Sequence, residues 1–518
     1  MSEITKPIVF NETVQALNSK IDTTNGYLQR IAAGVAPNLV TKSITDNGTY
    51  AASFDEADGY SSVTVDVPSI VNDVVFYDYD GTVLHTYKKD QFLALTEMPS
   101  NPTHTGLTAQ GWNWSLADAK EYVTKYRSLH IGQMYVTSDG KTRIHIHMVE
   151  GRLNPKLTIQ LNGTCVIDWG DESSTDTITG SNTEASSIHT YSTDGDYIIT
   201  LDVTGTFSFV GDMHTKKLLD HASYTGFQVY QTCIKYIYIG NNVTSISDFA
   251  FYHCFSLASV TIPESVTSIG SRAFSMCDSL THITIPEGVT SIGNECFYAT
   301  CSLASVAIPK SVNSIGTSAF ELNPLTSVNI PESVTSIGPN AFCNCKSLAS
   351  VTIPEGVTSI ESSAFYSCYA LSSVNISESV TSIGSSAFYY CYALSSVNIP
   401  ESVTSIGQNA FDHCYALSSV AIPEGVTSIS DGVFGMCFSL ASVTIPESVT
   451  SIGQGAFWKC QRLAYIKFKR ATPPTVANSS AFSDIPQDCI IYVPAGSLTA
   501  YKAATNYPNP STYTYVEY

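Results

Sequence analysis

Two histidines lie two positions apart on a predicted strand, a spacing at which both could bind one metal ion. His145 and His147 belong to the alternating segment TRIHIHM, so both side chains should leave the same face of the strand. Such a pair could ligate a transition metal, above all across a trimer axis, but two histidines supply only half of a tetrahedral shell. We therefore favour an ordinary strand face without a metal.

Acidic residues cluster in a second segment, CVIDWGDESS, where Asp168, Asp171 and Glu172 follow a predicted strand. Carboxylate oxygens are ligands that Ca²⁺ accepts, but an acid-rich polar turn is the commoner meaning of such a string. The sequence has no GxSxG elbow, P-loop, GxGxxG, HExxH or CxxC motif. We predict neither a bound metal nor a cofactor.

The segment VVFYDYDGTVL at residues 74–84 resembles the first motif of haloacid-dehalogenase phosphatases, in which apolar residues precede DxDGT. The resemblance implies that Asp78 would attack phosphorus, Asp80 would act as acid and base, and Mg²⁺ would bridge them. That chemistry also needs a later lysine and a downstream acidic pair, and no such pair is visible before residue 152. A β-hairpin with an Asp-Gly turn explains the segment without catalysis. We predict that the chain is not an enzyme.

Composition and charge narrow the range of partners. Of 518 residues, 43% are hydrophobic and 14% charged, and the formal net charge of −20 argues against nucleic acid and anionic membranes as partners. No apolar run approaches the roughly 20 residues that a membrane span needs, so we expect no membrane insertion. The start, MSEITKPIVFNETVQAL, lacks the basic and apolar regions of an ordinary signal peptide. The expectation is a chain that stays inside the cell or leaves by another route, such as lysis.

The N-terminal part divides by pattern into short modules. Residues 1–37 show a 4-3 spacing of apolar side chains, which predicts a helix that either self-associates as a coiled coil, with a trimer as first guess, or packs on its own protein. Residues 38–70 form a predicted small β module with turn signals at Asn47-Gly48 and Asp58-Gly59. Residues 71–152 form a predicted small α+β domain. In it the hairpins VVFYDY-DG-TVLHTY and QMYVT-SDGK-TRIHIHM flank a helix, WSLADAKEYVTKY.

Residues 153–206 alternate in the manner of a β-sandwich. The string IDWGDE, followed by HTY and GDYIITLDVTG, resembles the PKD-like immunoglobulin module, which typically shows WGDG, HxY and G-x-Y-x-V. The match covers about fifty residues, and Glu172 stands where that family has glycine. The resemblance implies an Ig-like β-sandwich that serves as a spacer or adhesive unit.

The remainder, residues 207–518, repeats with a fixed period. The element VTSI, once VNSI, begins at 243, 266, 289, 312, 334, 357, 380, 403, 426 and 449, in steps of 23 residues except for one step of 22. This period predicts a solenoid of about ten coils. In one unit, Leu257 and Val260 should point inward from a short strand, and Phe274 and Cys277 from a helical turn. Residues 207–238 and the tail IIYVPAGSLTAYKAATNY are the predicted caps.

Nine of the 14 cysteines fall at what we take to be one position of the repeat, namely Cys254, Cys277, Cys301, Cys345, Cys368, Cys391, Cys414, Cys437 and Cys460. We interpret them as a buried column of free thiols. No histidine or acidic residue recurs beside them, which disfavours a row of metal sites.

Aromatic residues flank the repeated Phe and Cys at offsets that should not point inward. The candidate ligand-binding residues are Tyr366, Tyr369, Tyr389, Tyr390, Tyr392, Tyr415, Phe438 and Trp458. Rows of exposed aromatics are uncommon unless something covers them, and Tyr and Trp are preferred anchors in interfaces and sugar sites. The alternative interpretation is packing between neighbouring coils.

The repeat resembles the BspA-type leucine-rich repeat family, whose unit similarly runs L-x-x-V-x-I-P-x-x-V-x-x-I-G-x-x-A-F-x-x-C, and the tail IYVPAGSLTAYKAATNY is similar to that family's closing segment. The resemblance implies a surface protein of bacterial, protozoal or phage origin with a role in adhesion and protein binding. Residues 1–150 resemble, more loosely, the N-terminal parts of phage and prophage tail-associated proteins.

These observations predict a mostly β multidomain chain that acts as a non-enzymatic adhesin or receptor-binding protein on a virion surface. The solenoid would bind a host-surface protein or glycan, and the N-terminus would oligomerise and attach to other tail proteins. The alternatives are a leucine-rich-repeat adhesin on a bacterial cell surface and a structural virion decoration protein without a ligand.

Overall fold

The computed structural model describes residues 48–50, 63–65, 73–77, 83–103, 107–112, 116–125, 129–137, 139–149, 153–211, 218–221 and 233–518. The chain divides into two units, Met1–Val71 and Asn72–Tyr518. In the first unit the strands Gly48–Tyr50 and Val63–Val65 pair antiparallel. Gly48 therefore lies in a strand and not in the turn that Asn47-Gly48 predicted. The predicted helix at 1–37 lies outside the described residues.

A four-stranded sheet with two helices forms the start of the second unit. Its strand order is Val83–Lys88, Asp73–Tyr77, Leu129–Thr137, Leu107–Trp112, and its helices are Lys89–Leu93 and Leu116–Lys125. The helix predicted from WSLADAKEYVTKY is thereby confirmed. The apolar residues of both helices and of the sheet share a small core in which the rings of Phe76 and Trp112 meet edge to face, with centroids 4.7 Å apart.

One of the two predicted hairpins is confirmed and the other is wrong. Asp73–Tyr77 pairs antiparallel with Val83–Lys88, as predicted, while Asp78 and Asp80 lie outside the described residues. Leu129–Thr137 and Thr142–Met148 do not pair with each other: the first joins the four-stranded sheet and the second pairs with later strands. Local alternation and a Gly-containing turn signal cannot show that a chain leaves one sheet for another.

Three long antiparallel strands follow, at Pro155–Asp168, Asp176–Ile188 and Gly195–Phe209, where the alternation of residues 153–206 predicts strands. A short strand, Leu219–His221, pairs with the first of them. All belong to one network of strands that continues into the repeats. The resemblance of this segment to a PKD-like sandwich, and the domain boundaries at 152 and 206, stay predictions.

The solenoid begins on strands that precede it. Thr142–Met148 pairs antiparallel with Ile234–Tyr238, the first strand of one repeat ladder, and Gly195–Phe209 pairs parallel with Val243–Ile246, the first strand of the other. The exposed edges of the first coil are thereby covered, as a solenoid requires for solubility. Residues 207–238, the predicted cap, are only partly described.

Two parallel ladders and a row of turns build the repeats, which make about 12 turns where the sequence predicted about ten. One ladder comprises Val243–Ile246, Ser268–Ile269, Ser291–Ile292, Ser314–Ile315, Ser336–Ile337, Ser359–Ile360, Ser382–Ile383, Ser405–Ile406, Ser428–Ile429, Ser451–Ile452 and Thr475–Val476. The other comprises Ile234–Tyr238, Ser259–Thr261, Ser350–Ile353, Ser373–Ile376, Ser396–Val397, Ser442–Ile445, Tyr465–Phe468, Ile490–Val493 and Thr514–Glu517. The extra coils lack VTSI and keep only the alternation of apolar residues.

The turn side of the coils from Phe251 to Phe457 is not helical, which corrects the predicted helical turn, and only the next coil has a short 3-10 helix there, Ser479–Phe482. Two residues per coil, such as Arg272 and Met276, have φ of 55° and 58°, in the left-handed region. Every second amide on this side donates to the next coil, as Phe274 N does to Cys296 O across 2.9 Å. These bonds join coils to one another, whereas helical bonds would have stayed within one coil.

The first ladder is interrupted at two coils that lack the corner glycine, although it continues at Ala477, which occupies the same position. A Cβ on Gly384 would lie 2.6 Å from the amide nitrogen of Ser362 in the preceding coil, so the corner has no room for a side chain. Strand pairing stops between Ile337 and Ser359, and again between Ile406 and Ser428. In those two coils Glu361 and Ser430 occupy the glycine position.

Tyrosines close the C-terminal end, where the predicted cap is found. The short helix Leu498–Ala503 carries the fully buried Tyr501, whose hydroxyl donates to Arg470 O across 2.7 Å. Tyr507 donates in the same way to Pro474 O and Tyr518 to Phe468 O. Ile490–Val493 and Thr514–Glu517 extend the second ladder, so the tail is partly repeat and partly cap.

Candidate functional site

A buried column of phenylalanines sets the positions of the side chains on the turn side. From Phe274 to Phe457 the rings stack in parallel, with centroids of successive rings 5.3–5.8 Å apart. Residues at fixed offsets from this column therefore form rows that run along the solenoid. The predicted ligand-binding aromatics occupy such rows.

The cysteine column lies beside these phenylalanines and is buried, with one correction. Cys277 Sγ donates to Phe251 O of the preceding coil across 3.2 Å, and later column cysteines repeat the bond. Burial raises the pKa of Cys368 and Cys414 well above the usual range, so these two thiols stay protonated donors. Cys301 is exposed and is not a member, because Thr300 and Asn323 occupy the column in their coils and make the same bond.

Four rings form a continuous stack that we call the ridge: Tyr369, Tyr392, Tyr415 and Phe438. Successive centroids lie 4.7–4.9 Å apart at interplanar angles of 14–18°. The ammonium of Lys346 lies 5.5 Å from the centre of the Tyr369 ring, at the start of the ridge. All four rings are half-buried, so neighbouring coils pack through them while their outer edges remain accessible. Their role in ligand binding stays a prediction.

A second row runs parallel to the ridge, one coil per residue, through Tyr366, Tyr389, Asp412, Gly435 and Trp458. The first two rings stack at 5.3 Å and 6°, and the aromatic sequence is then broken by a carboxylate and a glycine before it resumes at Trp458. Every predicted member of the row is half-buried.

Tyr390 and His413 lie between the two rows. Tyr390 meets Tyr389 edge to face at 4.1 Å and His413 at 4.6 Å. Both have φ of 62°, a left-handed conformation that is costly for bulky residues. The rows are thus joined into one aromatic surface.

The electrostatics of this surface favour neutral hydroxyl groups. Burial raises the pKa of Tyr366, Tyr389, Tyr392 and Tyr415, and neighbouring tyrosines raise it further. The hydroxyls therefore remain protonated at physiological pH and can donate hydrogen bonds.

Trp458 differs from the ridge because no ring stacks on it. Its indole nitrogen donates to Asp484 Oδ2 across 3.2 Å, and Lys459 Nζ lies 4.5 Å from the centre of its ring. A cavity of about 400 Å³ opens beside it, lined by Gln408, Asn409, Asp412, Asp431, Gly432, Gly435, Gln454, Gly455, Trp458 and Ser480. Of the predicted residues, only Trp458 lines this cavity.

Sequence reasoning missed the polar residues of the cavity. Aromatic residues at repeated positions do not indicate the polar residues Gln408, Asn409, Asp412 and Gln454. The signal in the sequence is the break in the second aromatic row. Asp412 and Gly435 stand where the two preceding coils have Tyr366 and Tyr389.

The side chains of the candidate metal-binding histidines make other contacts. His145 and His147 do leave the same strand face, but His145 packs edge-on against Tyr236 and Tyr238, and His147 Nδ1 lies 2.8 Å from Asp196 Oδ1. Burial, assisted by Arg143, lowers the pKa of His145 from 6.5 to about 4. Among the residues that the structure describes, no three His, Cys, Asp or Glu side chains group into a metal site.

The acidic turn at Asp168 to Glu172 is tied to its own module. Asp168 Oδ1 accepts the amide of Gly170, and Asp171 Oδ2 lies 2.8 Å from His189 Nε2. Burial alone would raise the pKa of Asp171, but hydrogen bonds from Ser173 and His189 outweigh it and the net shift is downward. His189 stacks on the buried Trp169 with ring centroids 4.9 Å apart.

The repeat itself decides the family. The sequence profile described as "BspA type Leucine rich repeat region (6 copies)" matches residues 205–324, 314–437 and 381–499, which together span more than half of the chain. The chain belongs to the BspA-type leucine-rich repeat family. The profile covers the ridge and the cavity. Among curated proteins, none matches the chain.

Solved structures of similar proteins include a leucine-rich cell surface protein from Faecalibacterium prausnitzii A2-165, 31% identical over 51% of this chain and 91% of that chain, with a TM-score of 0.33. A leucine-rich repeat protein from T. pallidum is 36% identical over 31% of this chain and 78% of that chain, with a TM-score of 0.30. Like these proteins, the BspA-type chain is built on a leucine-rich repeat. In the part of the chain that the structure describes, no helix has both the length and the apolar character needed to span a bilayer.

Proposed function

We propose that this BspA-type chain is a non-enzymatic, surface-exposed binding protein of the adhesin kind. Its turn side, with the ridge at its centre, would hold a host-surface protein or glycan. The observation that carries the proposal is the position of the ridge in the repeat. Other coils have Asp278, Lys346 and Gln461 at the same offset, so the coils stack without a ring there.

The chemistry of the ridge suits recognition. A stacked ring has its faces covered by its neighbours and offers its edge, and three of the four edges carry a hydroxyl. Tyrosine gives large, rigid contact area at low entropic cost and a hydrogen bond at its tip. Because the rings are held by the backbone ladder, little conformational freedom is lost on binding.

The absence of an activity is part of the proposal. Among the described residues, the cavity beside Trp458 holds no histidine, serine-histidine pair or metal group that could form a nucleophile with its base. Asp78 and Asp80 would have to supply any phosphatase chemistry, and magnesium-dependent hydrolysis lost in Asp78→Asn would overturn this part.

Either a bacterial envelope or a virion could carry such a protein. The similar F. prausnitzii structure is titled a cell surface protein, which supports the envelope. The loose resemblance of residues 1–150 to tail-associated proteins supports the virion, and the helix that the sequence predicts at 1–37 would be the oligomerising attachment. Immunogold microscopy of the producing cells and of particles released from them separates the two carriers.

Cell binding by the fluorescent full chain tests the proposal. The ridge variant replaces Tyr369, Tyr392 and Tyr415 by Gln, which position 461 shows to be compatible with the repeat. A matched control replaces the exposed strand-side serines Ser373, Ser396 and Ser419 by Gln. We expect at least a tenfold loss of binding in the ridge variant and wild-type binding in the control. Equal binding by all three proteins would refute the proposal.

A further inference from the structure

The break in the second row leaves a ring-sized gap in the turn side. Asp412 and Trp458 are two coils apart, which is about 10 Å at strand spacing, and Gly435 lies between them without a side chain. The gap is the cavity of about 400 Å³ described above, within the size range of small-molecule sites. Its end wall is an indole on which no other ring stacks.

Polar groups surround this gap on its remaining sides. Gln408, Asn409 and Gln454 bring amide groups to the lining, and Asp412 and Asp431 bring carboxylates. Asp431 Oδ1 accepts the amide of Gln454 across 2.7 Å, which fixes that carboxylate in place. An aromatic wall with amides and carboxylates around it is the combination that binds a ring bearing several hydroxyls.

Asp412 is only partly satisfied by its neighbours. Its Oδ1 lies 2.9 Å from His413 Nδ1, but the contact lacks hydrogen-bond geometry, and neither atom has another partner among the described residues. Both side chains are largely buried, with 13% and 15% exposure. A buried acceptor without a donor is costly, and because Oδ1 itself is closed to solvent, a ligand hydroxyl would have to meet the part of the Asp412 side chain that lines the cavity.

The charge of the lining selects the class of sugar. It contains two carboxylates and no Lys, Arg or His. A sialic or uronic acid would bring a third negative charge close to these two, and repulsion would oppose its binding. An uncharged pyranose avoids this cost, because its hydroxyls donate to carboxylates and accept from amides.

We propose that this cavity is a binding site for one uncharged pyranose residue of a surface glycan. The apolar face of the sugar packs on Trp458, and its hydroxyls bond to Asp412, Asn409 and the glutamines. This inference rests on the proposed binding function and names the ligand class of one site on the same turn side.

Saturation-transfer NMR and calorimetry on the full chain test the site. The probes are the methyl glycosides of glucose, galactose, mannose and N-acetylglucosamine, with the methyl glycoside of N-acetylneuraminic acid as the anionic comparison. Two variants change the cavity in opposite ways: Trp458→Ala removes its wall, and Gly435→Tyr fills it with the ring that this row already carries at 366 and 389. Gln461→Ala, an exposed glutamine outside the lining, is the control.

We expect at least one neutral glycoside to bind, the sialoside not to bind, and both cavity variants to weaken binding more than tenfold while the control does not. Gly435→Tyr keeps the result interpretable if Trp458→Ala is unstable. If no neutral glycoside binds, or if Gly435→Tyr binds as wild type does, the sugar site is wrong. If the sugar site is wrong but the ridge variant still loses cell binding, the proposed function remains supported. If the ridge variant also binds cells as wild type does, both the sugar site and the proposed function are wrong.

Discussion

Cys391 Sγ donates a hydrogen bond to the carbonyl oxygen of Phe365, one coil earlier, across 3.3 Å. Burial raises the pKa of this thiol far above neutral pH, so the proton needed for the bond is always present. The column is thus a row of small donors that satisfy carbonyls the strand ladders do not reach. The small size of the cysteine side chain and the hydrogen bond that it donates, and not thiol reactivity, explain why cysteine recurs in the column.

The loss of stability on replacing a column cysteine should depend on whether the new side chain can still donate the hydrogen bond. Cys391→Ala removes the side-chain donor to the Phe365 carbonyl, which keeps only the amide of Cys368, and opens a small cavity, so we expect a loss of about 1–3 kcal/mol. Cys391→Thr should cost less, because Thr300 already occupies this column fully buried and donates to Phe274 O across 3.0 Å. Urea midpoints of the full chain measure both, and equal midpoints for the two variants would contradict the hydrogen-bond role.

Thiol labelling should distinguish Cys301 from the other cysteines. It is exposed, whereas the remaining thirteen are buried. We expect about one thiol per native chain to react with a disulfide reagent, and Cys301→Ser to abolish that fast phase. Rapid reaction of several thiols in Cys301→Ser would show that the column is open to solvent.

A side chain at the corner position should be costly in the coils whose corner is a closely packed glycine. Gly384→Ala places a Cβ 2.6 Å from the Ser362 amide nitrogen and should destabilise the chain by about 1–3 kcal/mol. Glu361→Gly, at the same place one coil earlier, should raise the urea midpoint, because it gives this corner the residue found in most coils whose strands pair. A fall in the midpoint of Glu361→Gly would mean that the bond between Ser359 and Glu361 Oε1 matters more than the corner.

Stability should fall in mild acid because of His145. Its pKa is about 4 in the folded chain against 6.5 in the unfolded one, so between these values the unfolded state binds a proton that the folded state does not. Folding is therefore progressively disfavoured as the pH drops from 6.5 to 4, by on the order of 3 kcal/mol in total. His145→Phe keeps a ring against Tyr238 and cannot titrate. Denaturation midpoints of the two proteins should diverge below pH 6.5, and parallel pH profiles would contradict this account.

The sequence was sufficient for the repeat and insufficient for what interrupts it. Periodic Val, Ile, Phe and Cys predict which side chains are buried, because each must fill the same place in every coil. The turn side was mistaken for a helix because Ala273, Phe274 and Cys277 also have helical spacing. The left-handed residues that distinguish the two, Arg272 and Met276, are of no type that signals positive φ.

The proposed binding surface could be inferred from the sequence in its aromatic part but not in its polar part. Tyr392 and Tyr415 recur at a fixed offset and could be found by counting. Asp412 occurs once at its repeat position and Gln454 shares its position only with Gln408, and only the stacking of coils brings them around one cavity. The prediction of a hairpin at Thr142–Met148 is wrong for the same reason, because this strand pairs with strands that lie far away in the sequence.

Radical footprinting of tyrosines on the cell-bound full chain tests most directly the claim that the turn side is the binding face. Tyr465 and Tyr518, which are 38% and 48% exposed, serve as internal controls. The account predicts that oxidation of Tyr369, Tyr392 and Tyr415 falls on binding while that of the two controls is unchanged. Protection of Tyr465 or Tyr518 with no protection of the ridge would contradict it.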